Sequence, residues 1–383
     1  MKWETVKLGD IADFSNGLNF DKSAYSTYSN GIKLIGVSDF GTRFSPNFSE
    51  LSEVSAEVVR EANMLQNGDI VFVRSNGNKE LVGRCMLITE AVEPVTYSGF
   101  VIRCRFRDPT RYNPAFFTYH FKNKSFRQAM AGTAVGANIQ NLSQGRLSSY
   151  AANIPDIDSQ YRIAGVLSAY DNLIENNQKQ IKLLEETAQR LYKEWFINLR
   201  FPGHESTPIH DGIPEGWEKK TVTDLLEIKY GKDHKALADG AIPVYGSGGI
   251  MRKVEPVLYS GESVLIPRKG SLNNILYVAG DFWTIDTMFY SLPKAPNIAK
   301  YMYLFLSRLD MYSFNIGAAV PSMTVKILDG INVLLPSAEI LMRFESVISS
   351  MFEKKRVLEK QIETASQARD RLLSKLMSGE IEV

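Results

Sequence analysis

The chain repeats itself once, and each copy ends in the same long helical segment. Asn153-Ile154-Pro155 matches Leu334-Leu335-Pro336, and the residues after each proline align without a gap. Arg162, Val166, Ile181, Arg190 and Leu191 correspond to Arg343, Val347, Ile362, Arg371 and Leu372. Trp3-Glu4 opens the first copy and Trp217-Glu218 the second. Gly68-Asp69-Ile70-Val71-Phe72-Val73-Arg74 recurs loosely as Gly261-Glu262-Ser263-Val264-Leu265-Ile266-Pro267-Arg268. A period near half of 383 residues is too long for a solenoid and gives only two units. The expected fold is two similar globular parts, each followed by the same helix, with approximate two-fold symmetry in one chain. Such a shape suits a target with two half-sites, and DNA is the commonest one.

The helices carry the cleanest periodicity. Ile163, Leu167, Tyr170, Ile174, Asn177, Ile181, Leu184, Ala188, Leu191 and Trp195 alternate by four and three. Phe344, Ile348, Met351, Lys355, Leu358, Ile362, Ala365, Arg369, Leu372 and Leu376 do the same. Sustained spacing of this kind is a coiled-coil seam, and two seams in one chain invite an intramolecular, antiparallel pair. A helix of about 37 residues is roughly 55 Å long. Asn177, Lys355 and Arg369 interrupt the apolar seam, either fixing register and orientation or sitting at a partner interface or near the wet ends of the bundle.

The globular parts read as mixed α+β. Lys33–Val37, Ile70–Arg74, Cys85–Ile88 and Phe100–Phe106 are rich in branched and aromatic residues with turn formers near their ends, as strands are. Asn113–Met130 reads as one helix, and Ala299–Tyr312 as its twin. The division expected is residues 1–155, a first helix over 156–198, a proline-punctuated linker over 199–216, a second globular part over 217–336, and a second helix over 337–383. Cys85 and Cys104 lie in apolar runs and read as reduced core thiols. No apolar run reaches membrane-spanning length and Met1-Lys2-Trp3 opens no signal peptide, so the cytoplasm is the expected compartment.

A net charge of +1 does not announce a nucleic-acid binder, but the distribution of charge does more. From Pro109 to Pro155 there is no Asp or Glu, while Arg111, Lys122, Lys124, Arg127 and Arg146 are basic. Thr287 to Leu328 holds a single acid, Asp310, against Lys294, Lys300, Arg308 and Lys326. A phosphate-facing surface needs local depletion of carboxylates, although a solvated loop system shows it too. Outside these stretches lie two polar turns at matching places. Arg74-Ser75-Asn76-Gly77-Asn78-Lys79 ends a strand in the first part, and Arg268-Lys269-Gly270-Ser271-Leu272-Asn273-Asn274 ends one in the second. Arg reads guanine edges, Asn and Gln read adenine, and Ser or Lys holds phosphates. The candidate DNA contacts are Arg74, Ser75, Asn76, Asn78, Lys79, Arg84, Asn138, Gln140, Asn141 and Arg146, then Lys232, Lys235, Arg268, Lys269, Asn273 and Asn274. The alternative for the turns is ordinary hairpin chemistry, and for Arg74 a salt bridge to Asp69 or Glu80.

Residues for catalysis do not assemble. Tyr245-Gly246-Ser247-Gly248-Gly249 fits neither a dinucleotide fingerprint nor a P-loop. Asn113-Pro114-Ala115-Phe116 resembles the catalytic tetrapeptide of amino-methyltransferases without its second proline, and reads as a helix start. Asp156 and Asp158 lack the Glu-x-Lys partner of a metal-dependent nuclease. His120, His204, His210 and His234 form no cluster with metal spacing. A methyltransferase or nuclease in its own right is the weaker reading, and a coiled-coil scaffold explains the seams but not two acid-depleted stretches rich in Asn, Gln and Ser in register.

The residues also resemble a family: the specificity subunits of type I restriction-modification enzymes. The carriers are the Trp3 and Trp217 openings, Gly68-Asp69-Ile70 followed by Arg74, and Ile154-Pro155 before the first helix. More specific are Trp195-Phe196 through Arg200-Phe201-Pro202-Gly203, then Ile213-Pro214-Glu215-Gly216-Trp217. The resemblance covers the whole chain. It implies two target recognition domains that each read one half of a split double-stranded DNA sequence. It also implies paired helices that space them and dock two methyltransferase subunits, with restriction subunits joining to cleave DNA. The chain would then be catalytically silent and hold no cofactor, with S-adenosylmethionine, ATP and Mg bound by partner subunits. The second globular part is roughly thirty residues shorter than the first, so contacts do not transfer loop by loop.

Overall fold

The computed structural model describes residues 2–21, 31–41, 43–78, 80–89, 91, 93–130, 140–315 and 321–383. Two compact units emerge: Met1–Gln178 with Lys360–Val383, and Lys179–Glu359. The division cuts both long helices, Ile157–Tyr192 and Ala338–Ser378. Each unit thus holds one β-rich part and one half of each helix. No helix among the described residues is long and apolar enough to cross a membrane.

In the first unit, strand β1 (Trp3–Lys7) pairs antiparallel with β6 (Ala151–Pro155), Trp3 opposite Pro155. This ladder clamps the entry of the globular part to its exit, which explains why a Trp opening and an Ile-Pro ending travel together in the sequence. Between them, β2 (Ala12–Asn16), β5 (Val101–Phe106), β3 (Ile70–Val73) and β4 (Cys85–Leu87) form an antiparallel sheet in the order β2-β5-β3-β4. One sheet face packs Phe72, Ile102 and Cys104 with Phe116, Phe117, Phe121 and Phe126. Ile163 and Leu167 of the first long helix and Leu376 of the second complete that core. Cys85 and Cys104 are free and buried, as their apolar surroundings suggested.

The single helix expected over Asn113–Met130 is two: Pro114–Lys122 and Lys124–Met130. Asn123 between them is extended (φ −63°, ψ 144°), and its side chain accepts from Ser125 N. Asparagine bonds its own backbone neighbours well enough to end a helix that apolar spacing alone would continue. Likewise the twin helix stops at Leu306, and Asp310 caps a separate 3₁₀ turn over Met311–Phe314. Asn113 caps the first of these helices with Pro114 at its opening turn, so the Asn-Pro motif is a helix start.

His120 lies in this aromatic core, its Nε2 3.2 Å from Tyr150 Oη and its Nδ1 without a partner among the described residues. Burial lowers its pKa to about 4. The folded state therefore keeps the ring neutral while the unfolded chain protonates near pH 6.5. Stability from this group is complete above about pH 6.5 and is lost as pH falls toward 4, by roughly 2–3 kcal/mol. His120→Phe should flatten the pH dependence of the urea midpoint over that window; an unchanged slope would remove His120 as its cause.

In the second unit, β7 (Glu218–Thr221) pairs with β14 (Asn332–Leu335), the same entry-to-exit clamp. Its sheet runs β8 (Leu226–Tyr230), β13 (Met288–Pro293), β11 (Tyr259–Pro267), β12 (Leu276–Thr284), β9 (Asp239–Gly246) and β10 (Gly249–Val254). Register shows how the copies correspond. Val73 pairs with Val101, and Pro267 with Met288. Counting back along the strands sets Asp69 level with Ser263, not Glu262, so the Gly-acid likeness in the sequence is displaced by one residue. The roles diverge as well. Asp69 is buried and takes a bidentate bond from Arg105 at 2.7 Å, whereas Glu262 accepts from Lys300 at 2.7 Å.

The motif between the copies is a core. A π-helical turn over Lys193–Ile197 sets Phe196 among Tyr192, Trp217, Tyr301 and Phe344, with ring centroids 4.8–5.9 Å away. Phe201 lies tilted against Trp217, with ring centroids 4.9 Å apart. Aromatic rings of this kind bury large areas, and their tilted geometry adds to the gain from burial.

The polar residues of the helix seams are paired. In the first unit Arg369 bonds Asp171 at 2.5 Å, and Asn177 Nδ2 donates to Gln361 Oε1 at 3.2 Å. In the second, Lys355 bonds Glu185 at 2.6 Å. In the first unit Asp171 meets Arg369 and Asn177 meets Gln361; in the second Glu185 meets Lys355 and Trp195 meets Phe344, so within each unit the two helix segments run antiparallel. These pairs select a register; their net stabilisation is small beside that of the apolar rows.

Candidate nucleic-acid interface

Arg74 and Arg268 occupy the same place in the two units, defined by main-chain bonds. Arg74 N donates to Phe100 O at 2.8 Å, and Leu142 N donates to Arg74 O at 2.8 Å. Arg268 N donates to Thr287 O at 2.8 Å, and Met323 N donates to Arg268 O at 2.9 Å. The next residues form a short bridge in each unit. Ser75 and Asn76 pair with Asn141 and Gln140, and Lys269 pairs with Ser322. Beyond each bridge a hydroxyl caps a short helix: Ser143 accepts from Arg146 N, and Thr324 from Ile327 N.

The guanidinium groups are held alike. Arg74 Nη1 donates to Gly99 O at 3.1 Å and Arg268 Nη1 to Asp286 O at 3.2 Å. Neither forms the salt bridge considered for Arg74: Asp69 is engaged by Arg105 instead, and Glu80 offers its main-chain carbonyl to Arg84 and Arg127. A carbonyl acceptor positions the side chain and leaves its positive charge uncancelled. Arg268 further stacks over the half-exposed Tyr230 ring at 5.4 Å.

The loop that supplies each carbonyl is fixed by a glycine the sequence reading passed over. Gly17 and Gly231 follow the first strand of each sheet and run against the loop backbone. A Cβ on Gly17 would lie 2.2 Å from Tyr97 O, and one on Gly231 2.0 Å from Ile285 O. Only a residue without a side chain fits. The signal was present as Asn16-Gly17 and Tyr230-Gly231 at matching offsets. Phe100, beside Gly99, is an exposed aromatic that was also missed.

The remaining candidates divide. Asn76 and Asn78 spend their amide oxygens on the turn itself, accepting from Asn78 N and Glu80 N. Lys232 adjoins Tyr230, its main-chain carbonyl accepting from Trp283 Nε1, and Lys232 N donates to Thr284 O. Exposed Lys235 follows an Asp233 turn. Asn274 Nδ2 donates to Ser247 O, joining the Lys269–Gly270 turn to the β9–β10 hairpin. Asn273 braces Asp310 and Met311 N, so its side chain has a structural task. Arg146 Nη2 donates to Ala129 O. Arg84 is turned toward Glu80 O and lines a cavity of the first unit. Lys79 and Asn138 lie outside the described residues, and of Gln140 only the main chain is described. No group of three or more His, Cys, Asp or Glu among the described residues is placed to hold a metal.

Comparison with known proteins agrees with this architecture. Residues 1–186 and 214–364 match the type I restriction modification DNA specificity domain family. The chain is 27% identical over 300 residues to the type I restriction enzyme MjaIX specificity subunit of Methanocaldococcus jannaschii, covering 70% of this chain and 69% of that one. It is 20% identical to the HindI specificity subunit of Haemophilus influenzae, covering 99% of each. Among solved structures, the type I restriction-modification system S subunit from M. genitalium shares the fold, with a TM-score of 0.62 at 18% identity over 98% of this chain and 96% of that one.

Proposed function

Because this chain belongs to the type I restriction-modification DNA specificity family, whose members are the non-catalytic specificity subunits of their complexes, we propose that it reads a bipartite double-stranded DNA target. Residues 1–155 and 217–336 each act as a target recognition domain for one half-site. The observation that carries this reading is the pair of arginines placed by identical main-chain bonds in the two units. Each guanidinium keeps most of its donors for a ligand, with the Ser75–Asn141 bridge following Arg74 and Lys269 following Arg268. The long helices, 156–198 and 337–383, serve to space the domains and dock two methyltransferase subunits, to which restriction subunits are added. S-adenosylmethionine, ATP and Mg belong to those partners.

The test is Arg74→Ala in the complex assembled with methyltransferase subunits. The expected result is a loss of about 1–3 kcal/mol and relaxation of one base pair in a single half-site. Arg268→Ala should do the same in the other half. A uniform loss across sequences with a flatter salt dependence would instead make the contact a phosphate. Variants that melt normally and still methylate the same sequence at unchanged affinity would end the proposal for these side chains.

A further inference from the structure

A cavity of about 210 Å³ in the first unit is lined by Arg84, Lys122 and Arg127 of the globular part and by Arg369 of the second long helix. Its two acids, Asp171 and Asp370, are both bonded to Arg369, at 2.5 and 2.8 Å. Tyr119 donates to the other oxygen of Asp171 at 2.7 Å. Arg84 and Arg127 are treated differently. Both donate to one neutral acceptor, Glu80 O, from Nε at 3.2 Å and from Nη2 at 2.7 Å. Neither has a carboxylate within ion-pair distance among the described residues. Two guanidinium groups on one carbonyl repel each other, and a half-buried site screens that repulsion less than water does. Burial also draws the Arg127 guanidinium below the usual arginine range, and the charge on Arg84 adds to this.

A second cavity supplies the contrast. In the second unit, a space of about 470 Å³ is lined by Glu262, Glu353 and Glu359 against Lys300, Lys355 and Arg356, so its charges balance. The first cavity has an excess of positive charge and the second has none.

We propose that this cavity binds a phosphate group, carried either on a free phosphorylated molecule or on the DNA backbone. Arg84 and Arg127 approach from one side with unused N–H donors, and Arg369, fixed by its two carboxylates, faces them from the helix. Planar donor forks suit phosphate oxygens better than a point charge does. Occupation would relieve the repulsion between Arg84 and Arg127 and tie the sheet and helix of the same unit together.

The experiment titrates inorganic phosphate into the full chain at constant ionic strength, with chloride as the balancing anion, and follows the melting temperature. A saturable rise is expected, and Arg127→Gln should weaken the apparent Kd about tenfold. A rise that does not saturate, or that is the same in Arg127→Gln, means an adventitious ion only and overturns the site. If Arg127→Gln does not melt cooperatively, Arg84→Gln gives the same reading from the neighbouring fork. Target DNA separates the sources. Phosphate that weakens DNA binding in the wild type but not in Arg127→Gln assigns the site to the backbone; unchanged DNA affinity assigns it to a free molecule. Both outcomes uphold the site. A wild-type chain that shows no saturable phosphate response while its base reading is intact would overturn this proposal alone and leave the twin arginines untouched.

Discussion

Gly17→Ala and Gly231→Ala are each expected to destabilise one unit by on the order of 3 kcal/mol and to disable one half-site. The added methyl carbon would lie 2.2 Å from Tyr97 O and 2.4 Å from Ser98 O in the first case. In the second it would lie 2.0 Å from Ile285 O and 2.6 Å from Thr284 O. Both neighbours are main chain, so no rotamer change relieves the clash and the loop has to move. Overpacking that displaces backbone falls at the costly end of such substitutions. The displaced loop is the one whose next carbonyl, Gly99 O or Asp286 O, holds the arginine. Binding should therefore fall further than in the arginine variants, and stability should fall with it. Urea denaturation together with methylation at each half-site measures both effects. Wild-type midpoints in both alanine variants would show that the loops yield easily, and the account of the glycines would fail.

Phe196→Ala should cost about 3–5 kcal/mol in the second unit, as expected for a buried aromatic that leaves a cavity. The ring is 4% exposed and packs among five other aromatic side chains, so little can collapse into the space. Phe196→Leu keeps much of the volume and should cost clearly less. Trp195, Trp217 and Trp283 belong to this unit and only Trp3 to the other, so tryptophan emission reports mainly on the affected half. Equal urea midpoints for the alanine and leucine variants would contradict a packing role.

What was legible in the sequence was what depends on local periodicity. The seam residues Ile163, Leu167, Phe344 and Ile348 are buried as their spacing required. The strands around Val71 and Ile102 and the placing of Arg74 and Arg268 at matching strand ends also follow from pattern. Partners across the chain were not legible. The acceptor of Arg74 is a carbonyl 25 residues away, which leaves no mark on side-chain identity. The pairing of Ser75 with Asn141 is a two-residue ladder, too short for alternation to show. Asn177, Lys355 and Arg369 stood out as exceptions in the seam, but their partners Gln361, Glu185 and Asp171 could be named only once the register was known. Asn123 broke a helix that its apolar neighbours favoured, because its side chain satisfied the local backbone instead.

The acceptor that holds each arginine is a main-chain oxygen, and every residue has one. Position 99 is glycine and position 286 is aspartate, yet the bond they receive is the same within a tenth of an ångström. Selection can therefore exchange the side chains around the socket without renegotiating the arginine's place. The turns after Arg74 and Arg268 share almost no sequence, and the short bridges that follow them are made through backbone. In such a frame the fittings are fixed in the backbone, and the side chains they hold are open to exchange.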